Sequence, residues 1–398
     1  MPYLLLIAAG AIFFLTLWIF IPGWTYPLFV LSVGAPELSP WLLLASLILC
    51  LVCAKFPGPS QLTRLTLLLA LGATALALVP FAQAVLAVRR FESAMQSALG
   101  EDFLRGVPIR VRDGLRPRPI MALDLFRGID LGEPRVVRGI PFAAPDGQRL
   151  TLDVYRPVAD GRFPGVVQIY GGAWQRGAPG DNPQFARYLA ARGYVVFAID
   201  YRHAPKWPWP AQIADVRTAL TWIREHGSEY ATDLSRIALI GRSAGAHLAL
   251  MAAYEPGAPP VRGVVSFYGP VDLADGYRHP PRPDPLDVRA IDEALLSGTP
   301  DHVPDRYREA SPIRYVNRKL PPTLLIYGAR DHVVEARFGE MLHERLQSTG
   351  TPSVLLEIPW AEHAFDAIPS GLSGQLALYY TEQFLAWALT RGSPDRRQ

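Results

Sequence analysis

The chain has 398 residues, enough for one large domain or two ordinary ones at roughly 100–200 residues each. Lys and Arg number 39 against 36 Asp and Glu, and a net charge of +3 gives no basic footprint for a nucleic-acid partner. Apolar residues make up 50% and charged ones 19%, and the apolar excess is concentrated in the first ninety residues.

Residues 3–22 carry no charged side chain, and about 20 such residues cross a hydrocarbon core of roughly 30 Å. A second apolar run covers 41–54 and extends back through Pro40 and Ser39. A third runs from Leu65 to Val88 and is closed by Arg89 and Arg90. Glu37, Lys55 and Arg64 fall between the runs. A cleaved signal peptide fits the first run poorly: no Lys or Arg precedes it, its apolar core exceeds the usual 7–15 residues or so, and two further runs follow. The second run is short enough to read as a buried core helix instead. Together the three predict a membrane domain over 1–90 with about three transmembrane helices, a lipid bilayer as partner, and an integral protein of a bacterial inner membrane. Lys55 and Arg64 stand on one side of the third run and Arg89, Arg90 and Arg105 on the other, so charge assigns neither face to the cytoplasm. Cys50 and Cys53 form a Cys-x-x-Cys pair, read here as small apolar residues of a lipid-facing helix.

Residues 91–135 are expected as a connector. Phe91 to Leu104 reads as an amphipathic interfacial helix, and the rest is rich in Arg and Pro, as at 116–120. From about 136 to 392 strands and helices alternate. Strands are expected at 149–156, 165–170, 194–200, 237–240, 264–268, 323–327 and 354–358, and helices at 183–192, 211–226, 244–254, 335–348 and 374–389. This rhythm predicts a mostly parallel sheet covered on both faces, an α/β fold. Having its own complete set of elements, this part is expected to fold and act when begun near Arg135. Residues 271–312 break the rhythm and predict a lid, the kind of segment that sets substrate choice.

Gly241-Arg242-Ser243-Ala244-Gly245 is a Gly-x-Ser-x-Gly motif, weak alone but set here between a buried strand and a small-residue helix. Such a strand-to-helix elbow exposes a serine hydroxyl above the sheet, at a helix N-terminus. The hydroxyl needs a base, oriented in turn by an acid. His363 and Asp331 follow later strands, in the order Ser, Asp, His expected for this elbow. Asp366 and Glu335 are rivals for the acid, whereas His247, His279, His302, His332 and His343 read as packing or surface residues. The developing oxyanion needs backbone donors, expected from Ala244 and from Gly171 and Gly172 after the 165–170 strand. Tyr170, Trp174 and Arg242 are the candidate substrate-pocket residues. Trp207 and Trp209 read as packing residues under the loops or as a pocket wall. No His/Cys/Asp cluster has metal-ligand spacing, and no cofactor is implied.

From about 136 to 390 the chain resembles the α/β-hydrolase-fold esterases and lipases of the hormone-sensitive-lipase and feruloyl-esterase-like groups. The segments that carry the resemblance are Tyr-Gly-Gly-Ala-Trp at 170–174, Asp-Tyr-Arg-His-Ala-Pro at 200–205, Gly-Arg-Ser-Ala-Gly at 241–245, Gly-Ala-Arg-Asp at 328–331 and Glu-His-Ala-Phe at 362–365. The resemblance implies loop-bracing roles for Asp200 and Asp215. It also exposes a departure: the family usually has His where this chain has Tyr170, which bears on loop geometry and leaves the backbone donors in place. The expected activity is hydrolysis of small-molecule or lipid-like carboxylic esters by a membrane-anchored serine hydrolase. An amidase or formamidase using the same three residues, or a non-catalytic membrane scaffold that kept the fold, are the alternatives.

Overall fold

A computed structural model describes residues 2–56 and 60–391. The N-terminal third is helical: α1 (Pro2–Leu17), α2 (Tyr26–Glu37), α3 (Ser39–Lys55) and α4 (Ser60–Leu99), then the short α5 (Ile109–Arg112) and α6 (Asp124–Arg127). α1, α3 and α4 pack together, joined by small residues and a Thr74-to-Ser46 hydroxyl hydrogen bond of 2.9 Å. The expected three spans are not all present as such. Among the described residues α4 alone is a single helix long and apolar enough to cross a bilayer. α1 has 16 residues, about 24 Å at 1.5 Å per residue, short of a hydrocarbon core. α2 and α3 meet at a bend of 74°, so they make a second span only as a broken one. α2 lay outside the expected runs altogether.

α4 has 40 residues, about 60 Å at 1.5 Å per residue, twice the thickness of a hydrocarbon core. It therefore continues past Arg90 without a break, taking in most of the expected interfacial helix. Its far end lies along the last strand of the sheet described below, with Phe91 and Met95 buried in the main core. Residues 100–135, expected as a connector, are tied down at Val107, Arg116 and Leu125, which are buried. Arg116 is buried and pairs with Asp124 at 2.8 Å.

The sheet has eight strands: β1 (Arg135–Ala143), β2 (Leu150–Arg156), β3 (Phe163–Ile169), β4 (Val195–Ile199), β5 (Thr232–Arg242), β6 (Gly263–Phe267), β7 (Thr323–Gly328) and β8 (Ser353–Ile358). Their order is β1-β2-β4-β3-β5-β6-β7-β8. β1, β2 and β4 pair antiparallel, and every pairing from β4 to β8 is parallel. The helices are α7 (Pro183–Ala191), α8 (Ala211–His226), α9 (Ala244–Tyr254), α10 (Leu273–Arg278), α11 (Val288–Leu296), α12 (Pro304–Glu309), α13 (Arg337–Ser348) and α14 (Leu372–Thr390). β4, β6 and β7 are buried at every position, which is why they are continuous apolar runs and not alternating ones. This is the α/β-hydrolase arrangement. β1 escaped the sequence reading because Arg135, Arg138 and Gly139 interrupt any alternation, and its ladder with β2 is indeed irregular.

Candidate active site

Ser243 sits between the end of β5 and the start of α9, with φ 53° and ψ −122°. A non-glycine residue in that region costs on the order of 1–3 kcal/mol and needs its surroundings to hold it. Here the Ser243 amide donates to Phe267 O at 2.9 Å, and its carbonyl accepts from the His247 amide at 3.0 Å. The two glycines of the motif are dictated by space. A Cβ on Gly241 would stand 2.1 Å from Gly245 O, and one on Gly245 would stand 2.3 Å from the carbonyl oxygens of Ile169 and Tyr170.

The loops after β7 and β8 bring Asp331 and His363 to this elbow. His363 Nε2 is 3.0 Å from Ser243 Oγ, and His363 Nδ1 is 2.7 Å from Asp331 Oδ2. A carboxylate oxygen only accepts, so Nδ1 carries the proton and Nε2 offers its lone pair to the serine. Asp331 is held by two amides on its other oxygen, Val333 at 2.8 Å and Val334 at 2.7 Å. Asp331 and His363 are both buried. The rival acids are engaged elsewhere: Asp366 with Arg242 and the Tyr268 hydroxyl, and Glu335 with Arg337 at 2.8 Å.

Glu362 was marked only as part of the 362–365 segment, with no role, and Tyr268 was not singled out by the sequence. Glu362 Oε1 accepts the His363 amide at 3.0 Å and the His332 amide at 2.6 Å, while its Oε2 bonds His332 Nδ1 at 2.6 Å. That carboxylate holds the His332 pKa above the usual imidazole value. Tyr268 lays its ring 4.5 Å from that of His363.

Gly171 and Gly172 follow β3. A Cβ on Gly171 would stand 2.7 Å from Arg242 O and 3.2 Å from Ser243 Cβ, so the loop backbone passes directly beside the serine. The Ala244 amide lies in the first turn of α9, where N–H groups have no acceptor within the helix. Of the expected donors, Gly171 is thus beside Ser243 and Ala244 follows it in the chain. Ala173 and Trp174 both have φ 56°, and Trp174 is tied down by its indole N–H donating to His247 Nδ1 at 3.2 Å.

The site opens into a cavity of about 680 Å³ shared by Ser243, His363, Gly171, Gly172, Trp174 and Arg242. Tyr170 does not line it, contrary to expectation. Its ring stacks on Tyr201 at 4.4 Å, and its hydroxyl donates to Asp200 Oδ1 at 2.6 Å, with His203 Nε2 at 2.9 Å. It is a prop beneath the loop, and burial pushes its phenol above the ordinary value. Asp215 braces the same region through Arg202 at 2.9 Å. Trp207 and Trp209 also lie outside the lining. α10 and α11, within the expected lid, supply Leu273, Val288 and Ile291 to the cavity. So, unforeseen, does α2, through Tyr26 and Phe29.

Known proteins share the fold and part of the sequence. Residues 152–346 match the BD-FAE family model. Two proteins of Mycobacterium tuberculosis are similar in sequence. "Probable carboxylic ester hydrolase LipM" is 33% identical over 256 residues, 60% of this chain and 58% of LipM. "Esterase LipC" is 35% identical over 245 residues, 57% of this chain and 59% of LipC. The chain thus spans less than two thirds of the length of these relatives. Among solved structures, the butyrate-bound thermophilic esterase Est2 of Thermogutta terrifontis superposes with a TM-score of 0.52 at 25% identity, covering 64% of this chain and 94% of that one.

Proposed function

We propose that the protein is a membrane-anchored serine hydrolase that cleaves carboxylic esters through an acyl-enzyme. The observation that carries this reading is the continuous hydrogen-bonded line from Asp331 through His363 to Ser243, which lies in a cavity. Ser243 Oγ attacks the ester carbonyl as His363 Nε2 takes its proton, and the carbonyl oxygen gathers negative charge. The amides of Gly171, Gly172 and Ala244 meet that charge, each such donor contributing about 3 kcal/mol by analogy with comparable sites. The C–O bond to the leaving alcohol then breaks, and the alcohol departs with the proton from His363. Water repeats the sequence on the acyl-enzyme and frees the acid. Asp331 keeps the imidazole in the right tautomer and stabilises the imidazolium. The similarity to LipM, LipC and the butyrate-bound esterase supports an ester as substrate.

The anchoring half of the proposal rests on the N-terminal helices. Leu4, Ile7, Leu51, Leu68 and Val85 are large apolar side chains left exposed on α1, α3 and α4. Large apolar side chains exposed in such number mark a membrane or a partner, and the length and apolarity of α4 favour the membrane. The test is fluorophosphonate labelling of membranes containing the full chain. Wild type should be labelled, remain in the membrane through a carbonate wash, and hydrolyse p-nitrophenyl butyrate. Ser243→Ala should lose the label and about 10⁶-fold in turnover if the three residues act as a unit. Turnover retained by pure Ser243→Ala would overturn the assignment.

A further inference from the structure

We propose that α2 is part of the substrate site, and that the cavity takes the apolar chain of a lipid-like ester entering from the bilayer side, with Tyr26 and Phe29 setting the chain length. The proposal rests on the ester-hydrolase reading above and deepens it. Tyr26 and Phe29 share a cavity with Ser243 and His363; Phe29 is buried, while Tyr26 is 49% exposed. They are not there by chance approach. The Ser373 amide donates to Glu37 Oε2 at 3.0 Å, and a Cβ on Gly371 would stand 2.2 Å from that oxygen. Arg330, the residue before Asp331, donates to Phe20 O just ahead of α2. The Arg176 guanidinium lies 5.8 Å from the Tyr26 ring. α2 also packs on the turn Phe365–Ala367, two residues past His363. The N-terminal layer is therefore fastened to both loops that carry the acid and the base.

The segment that carries these residues is apolar as well. Ile21, Trp24 and Val30 are large side chains exposed on the same segment. On this proposal an acyl chain entering past that segment meets Tyr26 and Phe29, which share the cavity with Ser243. Each methylene buried there should raise kcat/KM roughly fourfold, the equivalent of about 0.8 kcal/mol.

The experiment uses the full chain in phospholipid nanodiscs with p-nitrophenyl esters of increasing acyl length, and a long-chain monoacylglycerol in phosphatidylcholine vesicles. Wild-type kcat/KM should climb with chain length to a maximum. Phe29→Ala should move the maximum to longer chains and Phe29→Trp to shorter ones. Tyr26→Ala, at a half-exposed position that the fold tolerates, should lose at least tenfold more on the vesicle-borne ester than on p-nitrophenyl acetate. Profiles that coincide with wild type in all three variants would overturn the proposal while leaving ester hydrolysis standing. A wild type that neither labels nor turns over any ester would instead overturn the underlying function.

A second observation stands independently. Asp292, on α11, shares the inward helix face with Val288 and Ile291 and lines the same cavity. It is 3% exposed, and among the described residues no group donates a hydrogen bond to its carboxylate. Its charged neighbours, Asp284 and Glu293, are acidic and offer it no counter-charge. A buried polar group without a partner is costly to keep, and in a binding cavity the partner is the ligand. We infer that Asp292 receives a hydrogen-bond donor, a hydroxyl or an ammonium, on the non-reacting part of the ester. The probes are 2-hydroxyethyl, 2-aminoethyl and propyl butyrate, matched in shape. Wild type should prefer one of the donor esters over propyl butyrate by about fivefold or more in kcat/KM, as one hydrogen bond to a buried group allows, and the favoured one identifies the donor. Asp292→Leu should bring the ratio close to one. A wild type with no preference, or a preference that survives Asp292→Leu, would overturn this assignment.

Discussion

His247 should make the protein acid-sensitive through a site that does no chemistry. It lies one turn into α9, four residues past Ser243, and is fully buried. Its Nε2 is 2.6 Å from Ala310 O, so that nitrogen must carry a proton; its Nδ1 accepts the Trp174 indole N–H, so that nitrogen must not. The neutral ring satisfies both neighbours. A second proton on Nδ1 would face the indole donor and carry a charge into an apolar interior. Burial accordingly brings the pKa down to about 4, with only the Ala310 carbonyl opposing the drop. In the unfolded chain the ring titrates near 6.5. The folded value is the lower one, so this stability is fully present above about pH 6.5 and is lost as pH falls toward 4. At about 1.4 kcal/mol for each tenfold difference in proton affinity, the loss is about 3 kcal/mol. His247→Gln keeps an amide donor and a carbonyl acceptor but does not titrate. Urea unfolding of the full chain in detergent, followed by tryptophan fluorescence from pH 7.5 to 4, should show wild type losing about 3 kcal/mol more than the variant. Parallel pH curves would refute the reasoning.

Asp331→Asn should keep the Val333 and Val334 bonds and leave stability nearly unchanged, yet present an N–H to His363 Nδ1 and cost turnover on the order of 10⁴-fold. Asp366→Ala should do the reverse in a denaturation assay, destabilising by about 3–5 kcal/mol because it strands the buried Arg242 guanidinium. Tyr170→Phe should destabilise by about 1–3 kcal/mol by removing a donor from Asp200, with turnover reduced only as far as the Gly171–Gly172 loop loosens. A chain begun at Arg135 should fail to unfold cooperatively in a thermal melt, because it lacks Phe91, Met95 and Arg116; a sharp transition would show that these contacts are dispensable.

That Ser243, Asp331 and His363 come together was legible because each lies in a short motif at the end of an apolar strand, and the fold of such strands places their ends together. The rival acids were separable only in three dimensions, since the Arg242 and Tyr268 partners of Asp366 come from other loops. Tyr170 misled because adjacency in a motif says nothing of side-chain direction. It follows Ile169 at the end of β3, and its ring turns toward Tyr201 and not the cavity. Tyr26 and Phe29 had no local signal at all. Their segment is apolar like its neighbours, and their role depends on contacts with residues more than three hundred positions away, such as Arg330 and Ser373.

One sequence feature does carry that long-range information, and it lies at the other end of the chain. α14 is buried nearly all round, at Gln375, Thr381 and Glu382 as well as at its apolar positions. A helix covering one face of a sheet would keep its polar residues in water. Here Gln375 and Glu382 are met by the N-terminal third, Glu382 also by the Tyr188 hydroxyl of α7 at 3.0 Å. Gln375 Oε1 accepts from the Met121 amide at 2.8 Å and from the Arg116 guanidinium at 2.9 Å. Glu382 Oε2 takes the Arg116 amide at 3.1 Å, and the Tyr380 hydroxyl donates to Val88 O at 3.1 Å, where Phe91 packs on the same ring. Stranding such buried groups costs about 1–3 kcal/mol apiece, more where charged, so the helix and the segments over it stand or fall together. Polar residues inside an otherwise apolar helix thus indicate that another part of the chain docks there. In this protein the N-terminal third also carries α2, whose Tyr26 and Phe29 line the serine's cavity.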